Sequence, residues 1–191
     1  MKRRKAIGSI LLVGSATVIG FGGYEWYTLT KNPDKHYLLS KKSLLAELAE
    51  TIIPATDTPG AKETGAIECM MRLLMECTDT KTLNRFVEGL QDLENYTRSR
   101  YRREFMNCNN GEKEAILQYF DQKSQTTHGL LEKAKNKYTG SGFFETLKRY
   151  SVYGYCISEK GASLGMHYIA VPGKYLSCIP IEQNQKAWAT K

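Results

Sequence analysis

The sequence predicts an all-α protein: a single compact helical domain of about five to seven helices with an irregular C-terminal arm, preceded by an N-terminal signal or anchor helix. Three observations carry that reading. Apolar residues recur at helical spacing through most of the chain. No alternating apolar–polar series marks a sheet. The chain has 191 residues, 41% hydrophobic and 25% charged, which suits one domain with a useful core and is too apolar for a disordered chain.

The N-terminus reads as an address. Met1 to Lys5 are basic, and the run AIGSILLVGSATVIGFGG, Ala6 to Gly23, follows without a charge. It is about 18 residues long, near the lower limit for crossing a bilayer. Its Gly, Ser and Thr make it less apolar than a permanent anchor, as in a signal peptide. Arg3-Arg4 before Lys5-Ala6-Ile7 is similar to a twin-arginine export signal, with Lys2 and Ala6 departing from the usual pattern. No small-x-small cleavage site precedes Tyr24-Glu25-Trp26-Tyr27, whose aromatics suit a membrane–water interface. Residues 1–27 are therefore either a twin-arginine-like signal or an uncleaved inner-membrane anchor, and the body is expected on the periplasmic side. Lys2, Arg3, Arg4 and Lys5 also supply four of the seven net positive charges. The rest are scattered among acids, which argues against a nucleic-acid partner.

Residues 28–39 read as a tether, with turn chemistry at Lys31-Asn32-Pro33-Asp34. The helical body spans 40–191. A first helix starts near Ser40 or Ser43, either of which can cap it, and carries Leu44, Leu45, Leu48, Ala49, Ile52 and Ile53 as an apolar stripe. Pro54 ends it. Residues 54–61, PATDTPGA, form a rigid turn. A second helix from about Thr64 carries Ile67, Met70, Met71 and Leu74. Asp79 or Thr80 caps a third, where Leu83, Phe86, Val87, Leu90 and Leu93 share a face up to about Tyr101. After a turn at Asn107–Gly111 comes a helix with Ile116, Leu117 and Phe120. Residues 124–129 read as irregular and Leu130 to Tyr138 as helical. Ser141-Gly142 opens a strong helix with Phe143, Phe144, Leu147, Tyr150, Ser151 and Gly154 on one side. Beyond one helical turn at Lys160–Gly165, the tail to Trp188 reads as a turn at Val171–Tyr175 and extended chain.

Motifs of chemistry are missing. The five cysteines, Cys69, Cys77, Cys108, Cys156 and Cys178, contain no CxxC pair, so zinc, redox and haem signatures are absent. In an exported protein thiols can pair, and five is an odd number, so one can stay free or bridge to another chain; a Cys178–Cys77 or other internal bridge stays open, beside the reading that most are small buried apolar residues, as for Cys69 among Met70, Met71 and Leu73. His36, His128 and His167 form no metal-ligand pattern. No GxGxxG, P-loop, GxSxG or HExxH occurs. Glu47, Glu50, Asp57, Glu63 and Glu68 read as solvated charges, with Asp57 capping a backbone turn. No residue is assigned as catalytic, cofactor-binding or metal-binding. The residues alone describe an exported helical interaction protein.

Three phrases in order add a resemblance. They are LAELAETIIPATDTPGAKETG (Leu45 to Gly65), FETLKRYSVYGYCISE (Phe144 to Glu159) and VPGKYLSCIP (Val171 to Pro180). With these, the sequence resembles the gluconate 2-dehydrogenase subunit 3 family, small subunits of membrane-bound sugar and sugar-acid dehydrogenases. The resemblance implies a non-catalytic, chaperone-like accessory subunit. It implies a large flavoprotein partner of the glucose–methanol–choline type that holds FAD, in many complexes a cytochrome c subunit, and passage of the folded pair through the twin-arginine translocase. It points to Arg3 and Arg4 as the export signal. It offers Cys178 first and Cys156 second for an inter-subunit disulfide, the latter on a phrase where Cys156 and Ile157 depart from the family pattern. Tyr168, Tyr175 and Trp188 are candidate anchors on the arm. For the Pro54–Ala61 turn, a docking knob and a plain chain reversal both stand. The alternative to this whole reading is a membrane-anchored helical protein with an unrelated partner.

Overall fold

The computed structural model describes residues 27–125, 141–171, 173–174, 178–181 and 183–189. Arg3, Arg4, the apolar run 6–23, the helix expected at 130–138 and Tyr175 lie outside the described residues. The described chain is helical and contains no strand, only an isolated backbone bridge between His167 and Trp188. No described helix is long and apolar enough to cross a membrane.

Helices α1 (Lys35–Ser40) and α2 (Lys42–Ile52) follow a short helical turn at residues 27–30. The segment expected as a tether is thus largely helical and packed. Leu29 and Leu38 are buried, and the Asp34 carboxylate accepts the Tyr37 N–H at 2.8 Å as an N-cap. Pro33-Asp34 therefore starts a helix as well as making a turn. Neither Ser40 nor Ser43 caps α2. Lys41 stands at its start with no side-chain cap, and the Ser40 hydroxyl donates backward to the Tyr37 carbonyl at 2.6 Å.

Helix α3 (Ala66–Arg72) continues as a π-helical stretch, Leu73–Cys77. Helix α4 (Thr80–Tyr101) is the longest, capped by Asp79, which accepts the Thr82 N–H at 3.1 Å. A short 3-10 turn (Phe105–Asn107) leads into α5 (Asn110–Gln125). Asn109 and Glu112 cap α5 reciprocally: Asn109 Oδ1 accepts the Glu112 N–H at 2.8 Å, and Glu112 Oε2 accepts the Asn109 N–H at 2.9 Å. Helix α6 (Phe143–Ile157) is followed by a π-helical turn, Gly161–Gly165.

Helix α6 is the central element and packs against α2, α3, α4 and α5. At its start the Phe143 ring meets Phe86 at 5.2 Å and Phe120 at 5.9 Å between centroids. Near its end, Gly154 lies so close to α3 that an added Cβ would stand 2.6 Å from the Ala66 carbonyl oxygen. The expected apolar stripe of α4 is buried in full, from Leu83 to Leu93.

Polar groups brace this core from distant parts of the chain. The buried Asn84 carboxamide donates to the carbonyls of Leu29 at 3.0 Å and Lys31 at 2.7 Å, tying the N-terminal segment to α4. Glu47 takes buried Lys113 at 2.7 Å and also Lys62. Burial disfavours the Glu47 carboxylate, yet the hydrogen bonds from Lys113 and Lys62 outweigh it and hold the carboxyl below its usual range. Burial, and then the Glu94 carboxylate it donates to at 2.6 Å, push the Tyr37 hydroxyl up.

Candidate partner interface

The connection from α2 to α3 runs from Ile53 to Gly65. That exceeds the ~2–8 residues helix–helix connections ordinarily use. The loop is closed at its base, where the Ala61 N–H donates to the Ile53 carbonyl at 3.0 Å. Glu50, at the end of α2, holds it from inside. Its two carboxylate oxygens accept the N–H groups of Ala55 at 3.2 Å and Lys62 at 2.8 Å. Gly60 makes room for that carboxylate, because a Cβ there would lie 2.3 Å from Glu50 Oε1. Pro54, Ala55, Thr56 and Asp57 remain exposed as a tip. Glu47 and Glu50 are therefore not solvated charges. Asp57 caps no backbone turn; its carboxylate accepts the Thr56 hydroxyl at 2.9 Å, and the Thr56 hydroxyl in turn accepts the Thr58 N–H at 3.4 Å.

The base of this loop meets the end of α6. Ala49, Ala61, Ala66 and Tyr155 form a small buried cluster, with Ile53 and Cys156 packed against it. Small side chains permit this approach, and the Gly154–Ala66 contact fixes it. Two of the three sequence phrases, far apart in the chain, thus share one core.

Past Ile157 the chain folds back over Tyr155: the Ser158 hydroxyl donates to the Tyr155 carbonyl at 2.7 Å and accepts the Gly161 N–H at 3.1 Å. Beyond it the arm leaves and returns. His167 N–H donates to the Ala187 carbonyl at 2.8 Å, and Ala189 N–H donates back to the His167 carbonyl at 2.9 Å. The imidazole and the Trp188 indole meet edge to face at 4.1 Å, and Lys186 Nζ donates to the Leu164 carbonyl at 2.9 Å. These contacts clasp the two ends of the arm together.

The exposed apolar side chains of the described residues concentrate here. Val152, Tyr153 and Ile157 lie on the outer face of α6, and Leu164, Tyr168, Ile169, Val171, Ile179 and Ile181 follow in the turn and arm. Val171 is 83% and Ile181 88% exposed. A shallow open trough of ≈450 Å³ runs along α6 beside Glu145, Lys148, Arg149, Val152, Tyr153 and Cys156.

The residues singled out from the sequence are distributed as follows. Tyr168 and Trp188 lie at the two ends of the arm, with Trp188 held in the clasp. Cys156 is half-buried at the loop–α6 junction, and Cys178 is exposed on the arm. All five cysteines are free thiols, so neither a Cys178–Cys77 bridge nor another internal one is formed. Burial pushes the Cys69 and Cys108 thiols above their ordinary value, which makes them poor nucleophiles. Among the described residues no group of three or more His, Cys, Asp or Glu side chains is placed to hold a metal. Sequence reasoning missed the roles of Glu50, Lys62, Lys113 and Asn84, each of which has a partner between 12 and 66 positions away. No local signal marks such pairs.

The family model described as Gluconate 2-dehydrogenase subunit 3 matches residues 40–173, which include the loop, the whole of α6 and the first half of the arm. No curated protein and no solved structure matches the chain.

Proposed function

The chain belongs to the gluconate 2-dehydrogenase subunit 3 family, and from that premise we propose that it is a non-catalytic small subunit that binds a large FAD-bearing dehydrogenase subunit. The outer face of α6 and the clasped arm form the docking surface. Arg3 and Arg4 address the folded pair to the twin-arginine translocase, and the complex works on the periplasmic side of the inner membrane, held there by the N-terminal segment where that segment is not cut. FAD stays in the partner, and so does the redox chemistry. A cytochrome c subunit completes the electron path.

The apolar surface of α6 and the arm carries this reading. Ten of the fourteen exposed large apolar side chains of the described residues lie between Val152 and Trp188, and such a concentration is what an interaction surface shows. Glu145, Lys148 and Arg149 border the apolar side chains of α6 as a charged rim, and the free energy of association comes from apolar burial.

The test is affinity purification of the full chain, tagged at its C-terminus, from its native host. A bound protein of flavoprotein size with a flavin absorption spectrum supports the proposal. A colourless chain recovered alone, or with a partner that carries no flavin, overturns it in favour of an unrelated partner.

A further inference from the structure

Almost no slack separates the apolar run near the N-terminus from the folded body. The segment expected as a tether is built into that body: Leu29 is buried, and the Asn84 carboxamide holds the carbonyls of Leu29 and Lys31. The Lys31 N–H also closes a helical turn on the Tyr27 carbonyl at 3.0 Å. Only Tyr24, Glu25 and Trp26 stand between Tyr27 and the uncharged run Ala6–Gly23. Even fully extended, the chain from Gly23 to Tyr27 reaches no more than ~14 Å. The headgroup layer on one side of a bilayer takes up about 5–8 Å of that reach. What remains is little more than the length of a lysine side chain.

The face where the chain enters the body suits such a layer. Tyr27 is 68% exposed, and its ring is of the amphipathic kind that sits at membrane–water interfaces. Lys31, one turn on, is exposed and can carry its ammonium to a lipid phosphate on an apolar stem. The start of α6 adjoins the same region, because the Ser141 N–H donates to the Thr82 hydroxyl at 3.1 Å, two residues from Asn84. The other end of α6, where the arm leaves, is ~21 Å further along the helix.

We propose that the body rests directly on the bilayer surface by this entry face, with Tyr27 and Lys31 among the lipid headgroups, and that the outer face of α6 and the arm are left for the flavoprotein. This rests on the reading that an uncut N-terminal segment holds the chain at the inner membrane. A body without a tether has little room to swing, so a partner docked on it is kept at a fixed height above the lipid.

The experiment compares the full chain with a variant that carries extra Gly and Ser residues between Trp26 and Tyr27, about twelve of them, enough for a reach of roughly 20 Å. Both are placed in nanodiscs of phosphatidylcholine and phosphatidylglycerol. Co-elution with the discs reads anchoring, and a water-soluble acetylating reagent followed by mass spectrometry reads the rate at each lysine. Both chains should co-elute with lipid. Lys31 should react at least fivefold more slowly in the wild type than in the spacer variant, while Lys160, just past the far end of α6, reacts equally in both. If both chains hold to the discs and their Lys31 rates agree within twofold, the surface contact is overturned and the anchor reading survives. Slowing of Lys160 as large as that of Lys31 also overturns it, because the contact is then not confined to the entry face. A wild type that elutes without lipid, or that its host delivers cut, overturns both.

Discussion

Replacing Lys113 by methionine tests the brace between α2 and α5. Lys113 is 8% exposed and its Nζ lies 2.7 Å from Glu47 Oε1. Removing one partner of a buried pair ordinarily costs ~3–5 kcal/mol. Here Glu47 keeps Lys62, which is more exposed than Lys113, and methionine fills most of the lysine stem, so the expected loss is about 2 kcal/mol. At this chain length that amounts to a drop of roughly 4–8 °C in melting temperature near neutral pH. The pH dependence has a definite sign. The folded-state pKa of Glu47 is lowered, so its contribution is complete above the unfolded carboxyl value of about 4.3. It disappears as pH falls through the folded value. Melting of both proteins by circular dichroism in steps from pH 7 downward should therefore show a difference that is full at pH 7 and shrinks as the pH falls below the unfolded carboxyl value. A neutral-pH difference within about 1 °C, or one that grows as the pH falls, refutes the reasoning.

Other expectations follow from contacts already described. Asn84→Ala leaves the Leu29 and Lys31 carbonyls without their donor; it should cost ~1–3 kcal/mol and speed hydrogen exchange at residues 27–31 while the middle of α4 stays protected. Gly154→Ala drives a Cβ against the Ala66 carbonyl and should lower the urea midpoint by the equivalent of ~1–3 kcal/mol, despite alanine's helix preference; a more stable variant would show that α6 and α3 part without penalty. On the proposed export role, which rests on the sequence and not on a contact, Arg3→Lys combined with Arg4→Lys should strand this chain and the proposed flavoprotein partner in the cytoplasm, and unchanged periplasmic activity on fractionation would remove that role.

Much of the helical body is legible in the sequence because its signals are local. The α4 stripe from Leu83 to Leu93 and the Asp79 cap need only neighbours within a few turns. Helix α1 escapes because it is six residues long with one buried side chain, Leu38, too little for any period to register. Of the candidate site the sequence shows the residues and not their surroundings: Cys156 packs at the loop–α6 junction and Trp188 sits in the clasp. The role of Glu50 is invisible, since an acid on a helix usually faces water and its second partner, the Lys62 N–H, comes 12 positions later. Likewise, nothing in the spacing of the second and third phrases announces that His167 and Trp188 pair.

That pairing has a kinetic consequence. It turns the arm into a ring of backbone. Ring closure removes roughly 2–3 kcal/mol of chain entropy for a segment of this length, by the logarithmic rule. The loss falls during folding, so an encounter begins with an arm already narrowed in shape. While the clasp holds, the ring leaves a surface it covers in larger steps than an open strand of the same length, an effect that falls on the rate of detachment more than on the frequency of encounter.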